Sequence, residues 1–171
     1  MKLTEKEKLL LKDLKTAEQL CIDKYTEYMG KATDKKLKNI FSSIKTKEEE
    51  HLKTVQKIMD GKTPTMNSSS KAKSSSSSSI KATQNLSEKD KKHNAYLCQD
   101  ALSTEKYVSA TYNTSVFEFA QPKLRNVLNH IQKEEQEHGL KIYQYMSANN
   151  MMCKSRRQDY SHDANFFAKL N

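Results

Sequence analysis

The sequence predicts an all-α fold, an antiparallel four-helix bundle made of two repeated helical hairpins with a long crossover between them. Three observations point there. The 171 residues include only 3 Gly and 2 Pro, too few breakers for the turns that sheets need every dozen or so positions. Apolar residues recur at alternating steps of three and four, the period of a helix with one buried face. The chain also repeats itself: residues 9–59, shifted by 87, fall without a gap on 96–146, and 12 of the 51 pairs are identical.

The first helix is expected near 4–29, with Thr4 and Glu7 forming a capping box and Gly30 as its stop. The second is expected near 34–59, capped by Asp34 and ended by Asp60-Gly61. Ser87 or Asp90 opens the third, near 88–119, and Phe119 to Gln121 make a turn. Pro122 suits the first position of the fourth, near 122–148. Residues 1–60 and 88–148 thus form the two hairpins. The segment between them, 61–87, reads "GKTPTMNSSSKAKSSSSSSIKATQNLS". It holds too few large apolar side chains to offset the entropy of ordering it, and is expected to be a flexible connector. Residues 149–171 form a C-terminal tail.

Composition narrows the function classes. The chain has no run of 18 apolar residues, and its start, "MKLTEKEKLLLKDLK", is too charged for a secretory signal, so a soluble protein made in the cytosol is expected. Cys21, Cys98 and Cys153 are scattered and include no C-x-x-C pair. That argues against a disulfide framework, a structural zinc site and a rubredoxin-type iron centre. The net charge of +9 raises the question of a nucleic-acid partner. Residues 60–93 and 147–171 supply +4 and +2 of it, and no predicted helix carries a basic stripe, so the excess reads as solvation of flexible parts.

The core-facing seam carries the chemistry. It reads Leu11, Leu14, Glu18, Cys21, Tyr25, Tyr28 in the first helix and Leu37, Phe41, Ile44, Glu48, His51, Val55, Ile58 in the second. The third gives Cys98, Ala101, Glu105, Val108, Tyr112, and the fourth Leu124, Leu128, Ile131, Glu135, His138, Ile142, Tyr145. In every helix a carboxylate stands where an apolar residue belongs. Of the run "EEQEHG", Glu135 and His138 therefore point inward, while Glu134, Gln136 and Glu137 fall to the flanks or surface. In "EEEH" the same spacing selects Glu48 and His51 and leaves Glu50 outside.

At about 1.5 Å of rise per residue, Glu18 and Glu48 lie roughly 18 and 21 Å from their shared turn, and Glu105 and Glu135 roughly 24 and 20 Å from theirs. Four carboxylates and two imidazoles are thus expected in one buried layer, where no seam position supplies Lys or Arg. Burying them unpaired costs several kcal/mol each. Two iron or manganese ions fit both the charge and the donor set. A Glu from each of two helices with Glu-x-x-His from each of the other two is the pattern of ferritin-like dinuclear bundles. The alternative for the same six residues is an ancestral site that is now empty, protonated or hydrated. Tyr25 and Tyr112, seven residues after Glu18 and Glu105, suit donors to these carboxylates or radical partners, although Tyr on a core stripe ordinarily packs. His93, His130 and His162 fall off the pattern and are expected in solvent.

The stretches "KYVSATYNT", "KLRNVLNHIQKEEQEHG" and "IYQYM", within residues 96–148, resemble the CotF-like (Coat F) family of spore coat proteins from endospore-forming bacteria. The first hairpin looks like a more divergent copy. The resemblance implies a ferritin-like bundle, made in the mother-cell cytoplasm and then placed in the spore coat, with other coat proteins or further copies of itself as partners. It carries over to Glu105, Glu135 and His138, and through the repeat to Glu18, Glu48 and His51. Two functions follow as expectations: a dinuclear protein with oxidase, peroxidase or catalase-like chemistry, or a non-catalytic structural coat component whose metal site is vestigial or stabilising. The absence of a C-x-x-C port argues against a rubrerythrin-type electron relay.

Overall fold

A computed structural model describes residues 2–64 and 80–152. The Ser-rich middle of the connector, Cys153, His162 and the rest of the tail lie outside the described residues. Among those described, four helices and no strand occur: α1 (Glu5–Lys31), α2 (Lys35–Met59), α3 (Glu88–Glu118) and α4 (Pro122–Ala148).

Each helix starts where a side chain can satisfy its free amides. The Glu7 amide donates to Thr4 Oγ1 at 3.2 Å and the Thr4 amide to Glu7 Oε2 at 2.8 Å, completing the capping box. The second oxygen of Glu7 accepts from the Ala120 amide at 3.2 Å, which ties this cap to the turn between α3 and α4. Asp34 caps α2 and Ser87, rather than Asp90, caps α3. Pro122 opens α4 at a position where its missing amide costs nothing. Gly61, at φ 75°, follows α2 in the left-handed conformation that glycine tolerates. Gly30 does not stop α1. The helix runs one residue further, and Ala32 ends it by donating its amide to the Tyr28 carbonyl at 2.8 Å.

Contacts across the bundle set the directions of the helices. Lys6 pairs with Glu118 at 2.5 Å near one end, and Thr33 meets Asn94 at the other, so α1 and α3 are antiparallel. Asp34 at the start of α2 accepts from Tyr145 near the end of α4 at 2.7 Å, so α2 and α4 are antiparallel too. Residues 81–83 lie at that same end: Lys36 donates to the carbonyls of Lys81 and Ala82 at 3.0 and 2.9 Å, and Thr83 donates to Asp34 at 2.6 Å. Met59 lies at the far end of α2, about 37 Å away at the helical rise. Met59 and residues 81–83 therefore lie at opposite ends of the bundle.

All the seam residues named from the sequence are buried. The largest fully buried side chains include Tyr25, Tyr112, Tyr145 and Phe41. Burial of each large apolar side chain contributes about 1.5–3 kcal/mol, and this framework is what forces the polar layer at mid-height to stay together.

Asp34 joins three elements: it caps α2 through the Lys36 amide, and it holds Thr83 and Tyr145. Burial pushes its carboxyl up, but these hydrogen bonds outweigh burial and keep it below its ordinary range. Asp34→Ala is expected to cost about 2–4 kcal/mol in urea unfolding, from a lost cap and an unpaired buried hydroxyl. Because the folded-state pKa is the depressed one, this stability is present above the unfolded value of about 3.9 and is lost as pH falls below it. The variant's stability should fall less steeply with acid over that window.

Candidate metal centre

At mid-height each helix contributes to one layer. The side chains of Glu18, Glu48 and Glu135 are fully buried, and Glu105, His51 and His138 are at most 2% exposed. All six residues predicted from the seam are brought together, and they fall into two overlapping sets. Glu18, Glu48, His51 and Glu135 form one; Glu48, Glu105, Glu135 and His138 form the other. Within each set one ligand atom from every residue lies within 4.8 Å of the others. Glu48 and Glu135 belong to both, as a carboxylate with two oxygens can.

Both imidazoles turn Nδ1 toward the carboxylates. His51 Nδ1 lies 3.0 Å from Glu135 Oε1, 3.3 Å from Glu48 Oε2 and 3.7 Å from Glu18 Oε2. His138 Nδ1 lies 3.0 Å from Glu48 Oε1, 3.4 Å from Glu105 Oε2 and 4.0 Å from Glu135 Oε2. The two rings stack 5.8 Å apart between the halves. The i, i+3 step within α2 and α4 is what lets each His reach the layer of its own Glu.

Tyr25 and Tyr112 do more than pack. Tyr25 on α1 donates to Glu105 on α3, and Tyr112 on α3 donates to Glu18 on α1. Each tyrosine thus orients the carboxylate of the other repeat, and the duplication has become a reciprocal pair of contacts. Burial, then the nearby carboxylate, holds both phenols well above their ordinary pKa, so they remain donors.

Glu134 lies on a flank of α4, as expected, but has a partner that the sequence reading did not give. It is partly buried, and its Oε2 accepts from His51 Nε2 at 2.9 Å, which orients the ring so that Nδ1 faces the layer. Its position reads as surface on the α4 wheel, and only packing against α2 reveals the bond. The repeat counterpart of Glu134 is Lys47, which pairs with Glu50 at 2.7 Å and with Glu134 at 3.8 Å. Only His51 therefore has a carboxylate behind it at this position. Gln136, Glu137 and Glu50 are exposed, as are His93 and His130.

Neither set contains Lys or Arg. Burial, and next the charge of Glu48, raises Glu18 well above the carboxylate range. Burial likewise raises Glu135 against the opposing bond from His51. For Glu48 burial also pushes upward, but His138 and His51 outweigh it and hold the group down to about 2. Burial favours neutral His51, yet Glu134, Glu135 and Glu48 raise it to about 12. His138 is raised in the same way by Glu105 and Glu48.

Protons do not complete the bonding. Glu18 Oε2, Glu48 Oε1, Glu105 Oε2, both oxygens of Glu135 and His138 Nδ1 are buried with no well-aligned hydrogen bond, although each of these oxygens lies 3.0–4.0 Å from an imidazole Nδ1. Unmet groups of this kind ordinarily cost about 1–3 kcal/mol each, and here six converge on two small volumes. The donor set, carboxylate oxygen with one imidazole nitrogen per half, fits iron or manganese.

If the tyrosines support the carboxylates, Tyr25→Phe and Tyr112→Phe should each cost about 1–3 kcal/mol by leaving a buried oxygen without its donor. Their costs in urea unfolding should agree closely, because the repeat makes the two contacts equivalent.

Among the described residues, no helix is long and apolar enough to cross a membrane. No curated protein and no solved structure matches the chain. Residues 94–154 match the family model of the Coat F domain, a span that takes in most of α3, the whole of α4 and three of the six clustered residues. The similarity to that domain thus lies in the second hairpin and the residues just after it.

Proposed function

We propose that this is a spore coat protein whose bundle has the ferritin-like arrangement and holds a dinuclear iron or manganese centre. Its ligands would be Glu18, Glu48, His51, Glu105, Glu135 and His138. The observation that carries the reading is the set of buried ligand atoms without a well-aligned hydrogen bond, divided between two overlapping groups that share Glu48 and Glu135. Glu48 and Glu135, which belong to both sets, would serve both ions, and Glu18 with His51, and Glu105 with His138, would each serve one.

A bound pair of such ions supplies one-electron exchange with oxygen or peroxide, the chemistry of oxidases, peroxidases and catalases. The chain's own residues define the setting. Tyr25 and Tyr112 hold the end carboxylates in place, and Glu134 keeps His51 Nδ1 turned inward. The surrounding core, with Cys21, Ile44, Val108 and Ile131 buried, keeps bulk water from the layer. Cys21 belongs to that core: burial and the neighbouring carboxylates keep it a neutral thiol.

Metal analysis of protein purified without chelator is expected to find about two ions per chain, and His51→Ala about one. Stripping the ions should lower stability, by about 2.7 kcal/mol where free metal stands at a hundred times its Kd. Iron-oxidation and peroxide-disproportionation assays then decide the activity.

A structural coat role is the second reading. The Coat F match favours it, as do the exposed aromatic side chains of the second hairpin: Tyr96 at 71%, Tyr107 at 66% and Phe117 at 81%. Occupancy without turnover selects this reading; turnover selects the first.

A further inference from the structure

The solvent side of α3 carries a second stripe at helical spacing. Tyr96, Tyr107 and Phe117 are its large members, and Gln99, Ser103, Ala110 and Thr114 complete the steps of three and four between them. All seven are exposed and none is charged, in a chain whose charged content is 30%. At the helical rise the stripe is about 32 Å long.

The duplication shows that this neutral face belongs to one hairpin. Shifted back by 87, Tyr96 and Tyr107 fall on Leu9 and Leu20, which are exposed as well. Gln99, Ala110 and Thr114, however, fall on Lys12, Asp23 and Glu27. The first hairpin therefore breaks its outer face with three charges where the second has none. Leu9 and Leu20 each stand one turn from a lysine that reaches α3, Lys6 to Glu118 and Lys24 to Asp100, both at 2.5 Å, so they border the stripe.

The stripe is symmetric about its own middle. Positions 96 and 117, 99 and 114, and 103 and 110 are all centred between 106 and 107. Laid antiparallel on a second copy about a two-fold axis at that point, α3 sets Tyr96 against the copy's Phe117, Gln99 against its Thr114 and Ser103 against its Ala110. The two Tyr107 rings meet at the axis. Small side chains beside the axis let the helices approach, and aromatic rings close both ends. A two-fold contact requires a patch that complements itself in this way. Lys106 lies on the α4 side of the stripe, among the residues between α3 and α4, and stays at the rim.

The area is of the right order. Aromatic side chains bury about 150–250 Å² each, so Tyr96, Tyr107 and Phe117 at their present exposures offer roughly 300–550 Å². Leu9, Leu20 and the smaller members bring the face toward the ~800 Å² per partner of a standard interface. We propose that this protein forms a two-fold symmetric dimer in which the outer stripe of α3 packs antiparallel on the same stripe of a second copy. This pairing needs nothing from the six-residue cluster, which occupies the buried side of the bundle.

Sedimentation of the full-length chain over a range of micromolar concentrations is expected to show a dimer. Tyr107→Glu, which sets two like charges at the axis, should raise its dissociation constant by about tenfold or more. The circular-dichroism melt of that variant should match the parent, since Tyr107 is exposed; if it falls, Ala110→Lys carries the test. Leu140→Glu, exposed on α4, should leave the dimer intact. Register and direction are read by cross-linking. Ser103→Cys mixed with Ala110→Cys should form a disulfide-linked dimer on oxidation, above the background that the parent's own cysteines give. Each variant alone should stay at that background, because like positions would lie about two helical turns apart, beyond disulfide reach. A monomer throughout, a dimer indifferent to Tyr107→Glu and Ala110→Lys, as exchange of whole hairpins would give, or cross-linking as ready in one variant alone as in the mixture would overturn the proposal.

Discussion

Four carboxylates are held out of water in this protein with no Lys or Arg beside them, and the rest of the structure is arranged around that constraint. Unpaired charge in an apolar interior is costly enough to unfold a domain of this size if left uncompensated. The bundle meets the constraint with geometry. Two imidazoles lie between the carboxylates, two phenols cross from the opposite repeat, and one further carboxylate backs His51. Even so, six buried polar atoms lack a well-aligned hydrogen bond, so the layer is not a polar core that has satisfied itself.

The internal repeat explains why so much of the layer is reciprocal. A hairpin whose single Glu-x-x-His and upstream Glu form half a site gains nothing alone; two related hairpins place the halves face to face. Glu48 and Glu135, equivalent in the repeat, then fall at the shared centre, and Tyr25 and Tyr112 reach across to each other's partner. Departures from the symmetry carry the specific chemistry. Glu134 against Lys47 makes the two imidazoles unequal, and Ala110 against Asp23 makes the two outer faces unequal.

Much of this was legible before any coordinates. Helix boundaries followed from Thr4, Asp34, Ser87 and Pro122, because capping is local chemistry that neighbouring residues determine. The six clustered residues followed from period and spacing, because a seam fixes which side chains point inward and the repeat fixes their height. What escaped was non-local. Glu134 lies off the seam of α4 and is drawn inward by His51 on another helix. Gly30, read as a stop, is passed by α1, since the helix ends where Ala32 finds a carbonyl and a place in the core.

Residues 61–87 are the sole covalent link between the hairpins, and the layer is completed only where the hairpins meet. A chain built this way has a choice of mate. Its first half can close on its own second half or on that of a neighbouring molecule, with the same contacts formed in either case. Such exchange would stitch separate molecules into continuous material without any interface beyond the one each already contains.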